Sequence, residues 1–169
     1  MAEPPGVGRG GPAVTFVWRR AGADDAVALM MAERATNLVA LAHVFPPDVY
    51  PYPDADVLAR WALILDDPGV TVEVVDGDAG VIAFAAWDVR TLRHLGVHPD
   101  HWGSGLARAG VERAVSAIRE GGETPYLKCL VENHQARGLY DHLGWVPTGV
   151  RGEAEFPPHP EEMEYVLRG

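Results

Sequence analysis

Residues 92–108 have the sequence LRHLGVHPDHWGSGLAR, which predicts a strand, a glycine-rich turn and the start of a helix. The first amides of a helix have no partner within the helix and lie at the positive end of its dipole, so such a junction binds anions. Gly103 and Gly105 remove side chains that would hold a diphosphate away from those amides, while Ser104 adds a hydroxyl and Arg108 a cation. The pattern favours a pyrophosphate-binding turn, although glycines at a tight junction also simply ease the reversal of the chain.

Two common nucleotide-binding motifs do not fit this turn. A Walker loop has Lys and then Ser or Thr after its glycines, and no such pair follows here. A dinucleotide fingerprint has Gly or Ala where this chain has Arg108, and it normally opens its domain, whereas this turn lies beyond the midpoint of the chain. NTPase and dehydrogenase functions are therefore disfavoured.

The remaining apolar patterns predict an α+β domain with a mixed, layered sheet. One β-α-β crossover and a hairpin turn at 77–79 set the order of its strands. The predicted elements are a strand at 15–21, a helix capped by Asp24 and Asp25, a helix from Asp54 to Asp67, strands at 70–76, 80–89 and 91–97, a helix over 103–120, a strand at 125–132, a helix over 133–144, and strands at 145–150 and 163–168.

Size and composition indicate one folded domain. The chain has 169 residues, of which 47% are hydrophobic and 22% charged. Residues 1–13, MAEPPGVGRGGPA, are rich in Gly and Pro and are expected to form a flexible tail, which leaves 14–169 as the domain. No run approaches the roughly 18 apolar residues that span a bilayer, and no signal pattern opens the chain, so we expect no membrane partner and a cytoplasmic location.

The net charge indicates which partners are disfavoured, and the single cysteine is assigned to the core. A net charge of -10, from 14 basic and 24 acidic residues, disfavours nucleic acid as a partner. It slightly favours a cationic substrate, which a merely solvated acidic surface explains equally well. Cys129 lies in the apolar run YLKCLVE and is expected to be a buried thiol of the core.

A second motif follows the turn, and the two together resemble the GCN5-related N-acetyltransferase (GNAT) superfamily. That family has a V-x-P step followed by Q/R-x-x-G-x-G/A at a helix start, which corresponds here to LGVHPDHWGSGLAR, with Trp102 in place of Gln or Arg. It then has an Asn, a Leu-Tyr pair and a Gly-aromatic pair, which correspond to Asn133, 139–140 and 144–145. The resemblance implies a mostly antiparallel sheet with a splayed parallel central strand pair and helices on both faces.

The resemblance also implies a function and a site. The protein would transfer an acetyl group from acetyl-CoA to a primary amine, of a small molecule or a peptide N-terminus, by direct attack in a ternary complex. Tyr140 would protonate the departing CoA thiolate as general acid, although an aromatic residue in a helix also serves core packing. The cofactor contacts carried over by motif are Leu95, Gly96, Val97, Trp102, Gly103, Ser104, Gly105, Leu106, Ala107, Arg108 and Asn133.

The general base is left open. The family positions that carry it correspond to Thr91, Arg93 or Lys128, none of which is a carboxylate or a histidine. Other candidates are His94, Glu73, Asp88 and His43. Because a strand-borne base is missing, a non-catalytic acyl-CoA-binding or sensing module with the same fold is the alternative function.

The sequence predicts no metal site and leaves the oligomeric state open. The group His94, His98 and His101 lacks a carboxylate or cysteine at ligand spacing, so no metal site is expected. The resemblance implies that the loop 43–52 and the acidic segment 151–164 flank the acceptor site, where their aromatic and acidic groups could hold a cationic amine. A solvated loop and hairpin is the alternative interpretation of these two segments. A homodimer is an open alternative to a monomer.

Overall fold

Seven strands form one mixed sheet in the computed structural model, which describes residues 14–169. The predicted tail at 1–13 lies outside the described residues. The strands are β1 (Trp18–Arg20), β2 (Thr71–Gly77), β3 (Gly80–Trp87), β4 (Thr91–Val97), β5 (Tyr126–Leu130), β6 (Val146–Glu153) and β7 (Glu161–Val166). The helices are α1 (Ala26–Ala40), α2 (Asp54–Asp66), α3 (Leu106–Glu120) and α4 (His134–His142), with short 3-10 turns at Ala23–Asp25 and Pro99–His101.

The sheet has the order β1-β2-β3-β4-β5-β7-β6, and its one parallel neighbour pair is β4 and β5. These two strands pair only where Thr91 meets Tyr126 and Leu92 meets Leu127. Beyond Leu92 they separate, which opens a gap in the middle of the sheet. The predicted mixed sheet with a splayed central pair is therefore confirmed.

Alternating side chains of β3 divide the core into two layers. Phe84 and Ala86 pack with α1 and α2 on one face, while Ala85 and Trp87 pack with α3 and α4 on the other. Because every second residue of β3 faces each layer, nearly the whole strand is apolar and buried. Helices therefore cover both faces of the sheet, as expected.

Several predicted boundaries differ from the structure by one to three residues, as in β6 and β7, which span Val146–Glu153 and Glu161–Val166 and not 145–150 and 163–168. Two differences have a clear physical reason. Helix α3 begins at Leu106 and not at Gly103, because Gly103 and Gly105 have φ of +77° and +85°, which lie outside the helical region. Strand β1 is confined to Trp18–Arg20, the residues that pair with β2, and not to 15–21. Within the described residues, no helix is long and apolar enough to cross a membrane.

Candidate functional site

The gap between β4 and β5 forms a cleft of about 200 Å³, and it brings several predicted site residues together. Leu95 comes from β4, Asn133 from the end of the loop after β5, and Tyr140 from α4. Glu33 of α1 and His94 of β4 also line it. The cleft is therefore bounded by the two splayed strands and by a helix from each face.

Strand β4 directs part of its backbone into this cleft. The amide of His98 donates to the Ile82 carbonyl at 2.8 Å, and the register continues through Ala83 opposite Val97. In antiparallel pairs the bonded positions alternate, so the backbone groups of Gly96 point towards β3, whereas those of Leu95 and Val97 point towards the gap. Leu95 and Val97 therefore offer main-chain groups there.

The Val97 carbonyl is already used. It accepts hydrogen bonds from Thr36 Oγ1 at 2.9 Å and from the Trp102 indole Nε1 at 2.8 Å. Trp102 thus ties the glycine turn back onto the end of β4. The groups left for a ligand are the Leu95 amide and carbonyl and the Val97 amide.

The turn that precedes α3 is open to an anion. Among the described residues, the backbone amides of 103–108 donate to no backbone carbonyl, and the first bond of the helix runs from Ala109 to Gly105. A Cβ atom on Gly103 or Gly105 would meet nothing within 4 Å, so the space in front of these amides is free. This arrangement can accept a phosphate or diphosphate by main-chain donation alone.

Side chains around the turn have separate roles. Ser104 Oγ donates to the His101 carbonyl at 2.5 Å, and Leu106 is buried in the core, so its contribution to a ligand is its amide. Ala107 is partly buried against the same core. Arg108 Nε lies 2.8 Å from Glu112 Oε1, and both side chains are exposed, so Arg108 is a cation at the edge of the turn.

Asn133 and Tyr140 are held by α4. Asn133 Oδ1 accepts from the Ala136 amide at 3.2 Å and so caps the first turn of the helix. Tyr140 is buried, with ring centroids 6.0 Å from those of Trp145 and Tyr165. Burial raises the pKa of Tyr140, so its hydroxyl keeps its proton at neutral pH.

Cys129 also lines the cleft and is buried as predicted. Burial raises the pKa of its thiol to about 12, so the group is not a thiolate at neutral pH. A reactive cysteine needs a lowered pKa. The cleft therefore offers no activated thiol nucleophile at Cys129.

The four base candidates occupy different places. Only His94 lies in the cleft, and burial, together with nearby Arg60 and Arg93, lowers its pKa to about 3, which makes it a neutral and weakly basic imidazole. Glu73 pairs with Arg113 of α3 outside the cleft. Asp88 Oδ1 accepts from the amides of the turn that follows it, at 2.9 Å and 2.7 Å.

Glu33 is a site residue that the sequence analysis missed. Its Oε2 accepts from Arg60 and, at 2.7 Å, from the Trp61 indole, while Oε1 accepts no hydrogen bond from the described residues. Glu33 and Asn37 line both the splayed cleft and a second cavity of about 320 Å³. The signal was present, because these two polar residues follow the buried Leu29 at i+4 spacing on α1.

One group in residues 14–169 has the composition of a metal site. Ligand atoms of His43, Glu132 and His134 lie within 4.8 Å of one another, and all three residues are exposed. His43 Nε2 lies 2.7 Å from the Glu132 carbonyl oxygen. The histidines singled out from the sequence are not members of this group, since His94 lines the cleft, His98 caps the 3-10 turn after β4 and His101 ends that turn.

A larger groove of about 770 Å³ runs along α3 on its β1 side. It is lined by Trp18, Glu73 and Arg113 among others, and it reaches the glycine turn and the start of α3 at Ser104, Gly105 and Leu106. It contains none of the residues that line the splayed cleft. We place the candidate site at the smaller cleft, which holds Leu95, Asn133 and Tyr140, with the free amides of the turn at the end of the groove.

Comparison with known proteins gives one family. The sequence profile of the acetyltransferase (GNAT) family matches residues 18–145. The mycothiol acetyltransferase of Beutenbergia cavernae is 34% identical over 98 residues, which are 54% of this chain and 33% of that protein. The chain thus spans about a third of the length of that curated relative.

Solved structures share the fold. A GCN5-related N-acetyltransferase from Rhodopseudomonas palustris superposes with a TM-score of 0.76 at 16% identity, and the match covers 92% of this chain and 96% of that one. The PaiA N-acetyltransferase of Thermoplasma acidophilum, in complex with coenzyme A, has a TM-score of 0.65 at 13% identity, with 89% and 98% covered. At these identities the likeness establishes the shared fold alone.

Proposed function

The chain belongs to the acetyltransferase (GNAT) family, and from that premise we propose that it transfers an acetyl group from acetyl-CoA to a primary amine. The observation that carries the proposal is the order of three features along the end of β4. The splayed cleft holds Leu95 and the buried residue Tyr140, β4 turns main-chain groups of Leu95 and Val97 towards the gap, and the free amides of 103–108 follow in the turn after this strand.

Acetyl-CoA would bind in an extended form from the cleft to the glycine turn. The pantetheine amides would pair with Leu95 and with the Val97 amide, as an added short strand beside β4. The pyrophosphate would lie on the amides of 103–108, with Arg108 at its edge. The coenzyme A bound by the related Thermoplasma acidophilum protein supports this class of ligand.

The chemistry is one acyl transfer in a ternary complex. The lone pair of the neutral amine attacks the thioester carbonyl carbon, the C–S bond breaks, and the sulfur takes the proton of the Tyr140 hydroxyl. The amine nitrogen loses a proton to solvent, and Tyr140 is reprotonated from solvent. His94, which is neutral, can accept a hydrogen bond from the attacking amine but is too weak a base to deprotonate an ammonium ion.

Tyr140 also separates this function from a non-catalytic acyl-CoA-binding module. A binding module needs the main-chain groups of β4 and of the turn, but it needs no proton donor in the gap. A protonated hydroxyl at this position is what a departing thiolate requires. The catalytic function therefore gives the Tyr140 hydroxyl a role in addition to the core packing of its ring, which a binding module would also need.

The test combines ligand binding and turnover. Acetyl-CoA should raise the thermal midpoint of the protein, whereas NAD and ATP at equal concentration should raise it much less, because neither pairs with β4. A mixed panel of primary amines should then release free CoA thiol from acetyl-CoA. Equal stabilisation by all three ligands would refute the cofactor assignment, and stabilisation by acetyl-CoA without thiol release would favour the binding module.

A further inference from the structure

A second cavity adjoins the splayed cleft and is the natural place for the body of the acceptor. Its volume is about 320 Å³, and it lies between α1, α2, the segment 45–53 and the loop between β6 and β7. Glu33 and Asn37 belong to the walls of both spaces. The two spaces therefore adjoin at these two residues, and a molecule in the cavity would reach the thioester past them.

The walls of this cavity are largely aromatic and aliphatic. Phe45 and Tyr50 come from the segment after α1, Phe156 comes from the β6–β7 loop, and Leu38 comes from α1. Tyr52 presents its ring, because its hydroxyl oxygen is buried within the wall. An apolar cavity of about 150 Å³ is enough to bind benzene, so this space can hold an aromatic ring and a short linker.

The charges around the cavity do not favour a polycation. Glu33 is bonded to Arg60 through Oε2, so this pair carries no net charge. Its Oε1 is free to accept one hydrogen bond at the boundary with the cleft. Asp56 is the other carboxylate of the lining and is exposed. One amine next to Glu33 is matched by this arrangement, whereas a second ammonium would find only Asp56, which is exposed to solvent, as a further carboxylate among the described lining residues.

We propose that the acceptor is a primary amine with one aromatic or similarly bulky apolar group, which fills the cavity between Phe45, Tyr52 and Phe156. Its amine lies between Glu33 and the cleft. This inference rests on the proposed acetyl transfer for its reactive end. The preference for an apolar group rests on the shape and lining of the cavity alone, so the binding of that group is testable without turnover.

Three amines test the wild-type protein. Phenethylamine has a ring, n-butylamine has a small aliphatic group, and 1,4-diaminobutane has a second ammonium. The kcat/KM for phenethylamine should exceed that for each of the others by at least about 10-fold, because its ring loses more apolar surface to the cavity. A preference for 1,4-diaminobutane, or equal kcat/KM for all three, would overturn the inference.

A pair of variants in one hairpin locates the effect. Phe156→Ala removes an aromatic wall and should lower the ratio of kcat/KM for phenethylamine to that for n-butylamine by about 10-fold, with the Kd of acetyl-CoA unchanged. Val150→Ala is the control, since Val150 lies exposed on β6 outside the cavity. An unchanged ratio in Phe156→Ala would show that the ring does not bind there.

Direct binding separates this inference from the proposed function. If no amine releases CoA, calorimetry of phenethylamine with the free protein measures whether the cavity binds the ring. Binding that weakens about 10-fold in Phe156→Ala but not in Val150→Ala would support the cavity while acetyl transfer fails. Absence of phenethylamine binding to the wild-type protein, or equal Kd values for Phe156→Ala and Val150→Ala, would overturn the inference.

Discussion

At the scale of single residues, Tyr140 belongs both to the core beneath α4 and to the lining of the splayed cleft. Replacing it with Phe keeps the ring and removes the proton that the mechanism gives to the thiolate. We expect Tyr140→Phe to lower kcat by about 10²-fold, with the Kd of acetyl-CoA nearly unchanged. Steady-state kinetics with one good amine, at one pH, measures the first quantity, and calorimetry measures the second.

The control for that variant is a buried tyrosine in the same cluster. Tyr165 packs against Tyr140 but does not line the cleft, and its hydroxyl accepts from Arg137 Nε at 3.3 Å. Tyr165→Phe should therefore affect stability and leave kcat unchanged. An unchanged kcat in Tyr140→Phe would assign Tyr140 to packing, and a weakened Kd would make it a binding residue.

His94 gives the protein a pH-dependent stability. Its pKa falls from the usual 6.5 to about 3 in the fold, mainly through burial, so the unfolded chain takes up a proton that the folded protein does not. Above about pH 6.5 His94 is neutral in both states and its titration costs no stability. As the pH falls from there towards 3, the unfolded chain binds the proton and the free energy of unfolding decreases. The loss should be about 1.4 kcal/mol of unfolding free energy per pH unit in that window.

The measurement is urea unfolding at several pH values between 3 and 7. His94→Gln should show a shallower decline than the wild-type protein, because Gln has no proton to gain in the unfolded chain. The contribution of the carboxylates to the pH dependence is the same in both proteins, so it drops out of the difference between the two curves. Parallel curves for the two proteins would mean that His94 is readily protonated in the fold.

At the scale of elements, the start of α3 carries the proposed phosphate site. Gly105→Glu would place a carboxylate in the free space before the amides of 103–108 and should abolish the thermal stabilisation by acetyl-CoA. Gly122→Glu is a matched control, because Gly122 has φ of +84° against +85° at Gly105, and a Cβ there also meets nothing within 4 Å. Both variants therefore carry similar backbone strain.

The two variants separate strain from ligand binding. Gly122→Glu should lower the thermal midpoint of the free protein and still respond to acetyl-CoA, since Gly122 follows the far end of α3. Gly105→Glu should show a similar loss without the response. Retained acetyl-CoA affinity in a folded Gly105→Glu protein would remove the turn from the proposed site.

The order and type of most elements were predictable from the sequence, because apolar periodicity reports which face is buried. The start of α3 was not, since GSGLAR fits a helix by composition and only the positive φ of Gly105 delays it to Leu106. Trp102 was expected on the cofactor, but its indole is engaged by the Val97 carbonyl. A side chain's partner five residues away depends on how the turn folds, which periodicity does not show.

At the scale of the whole molecule, the two motifs indicated the splayed sheet, and the resemblance led us to expect 43–52 and 151–164 beside the acceptor. The sequence did not indicate that Glu33 and Arg60 join residues of these segments around one cavity. Glu33, Arg60 and Phe156 are distant in the chain and meet only because α1, α2 and the β6–β7 loop surround one cavity. Such convergence leaves no local spacing to detect. The acidic net charge favoured a cationic acceptor, whereas the cavity itself is lined mainly by apolar groups.

The short pairing of β4 with β5 affects how firmly the two parts of the sheet are held together. Two register positions join β1-β2-β3-β4 to β5-β7-β6, while longer ladders hold each part together. In the free protein the two parts are held together across this seam mainly by the side chains of one shared core cluster, which includes Ala85, Leu127 and Tyr165. Acetyl-CoA, bound along β4 as proposed, would add contacts at the seam, so that occupancy would raise the cost of opening it.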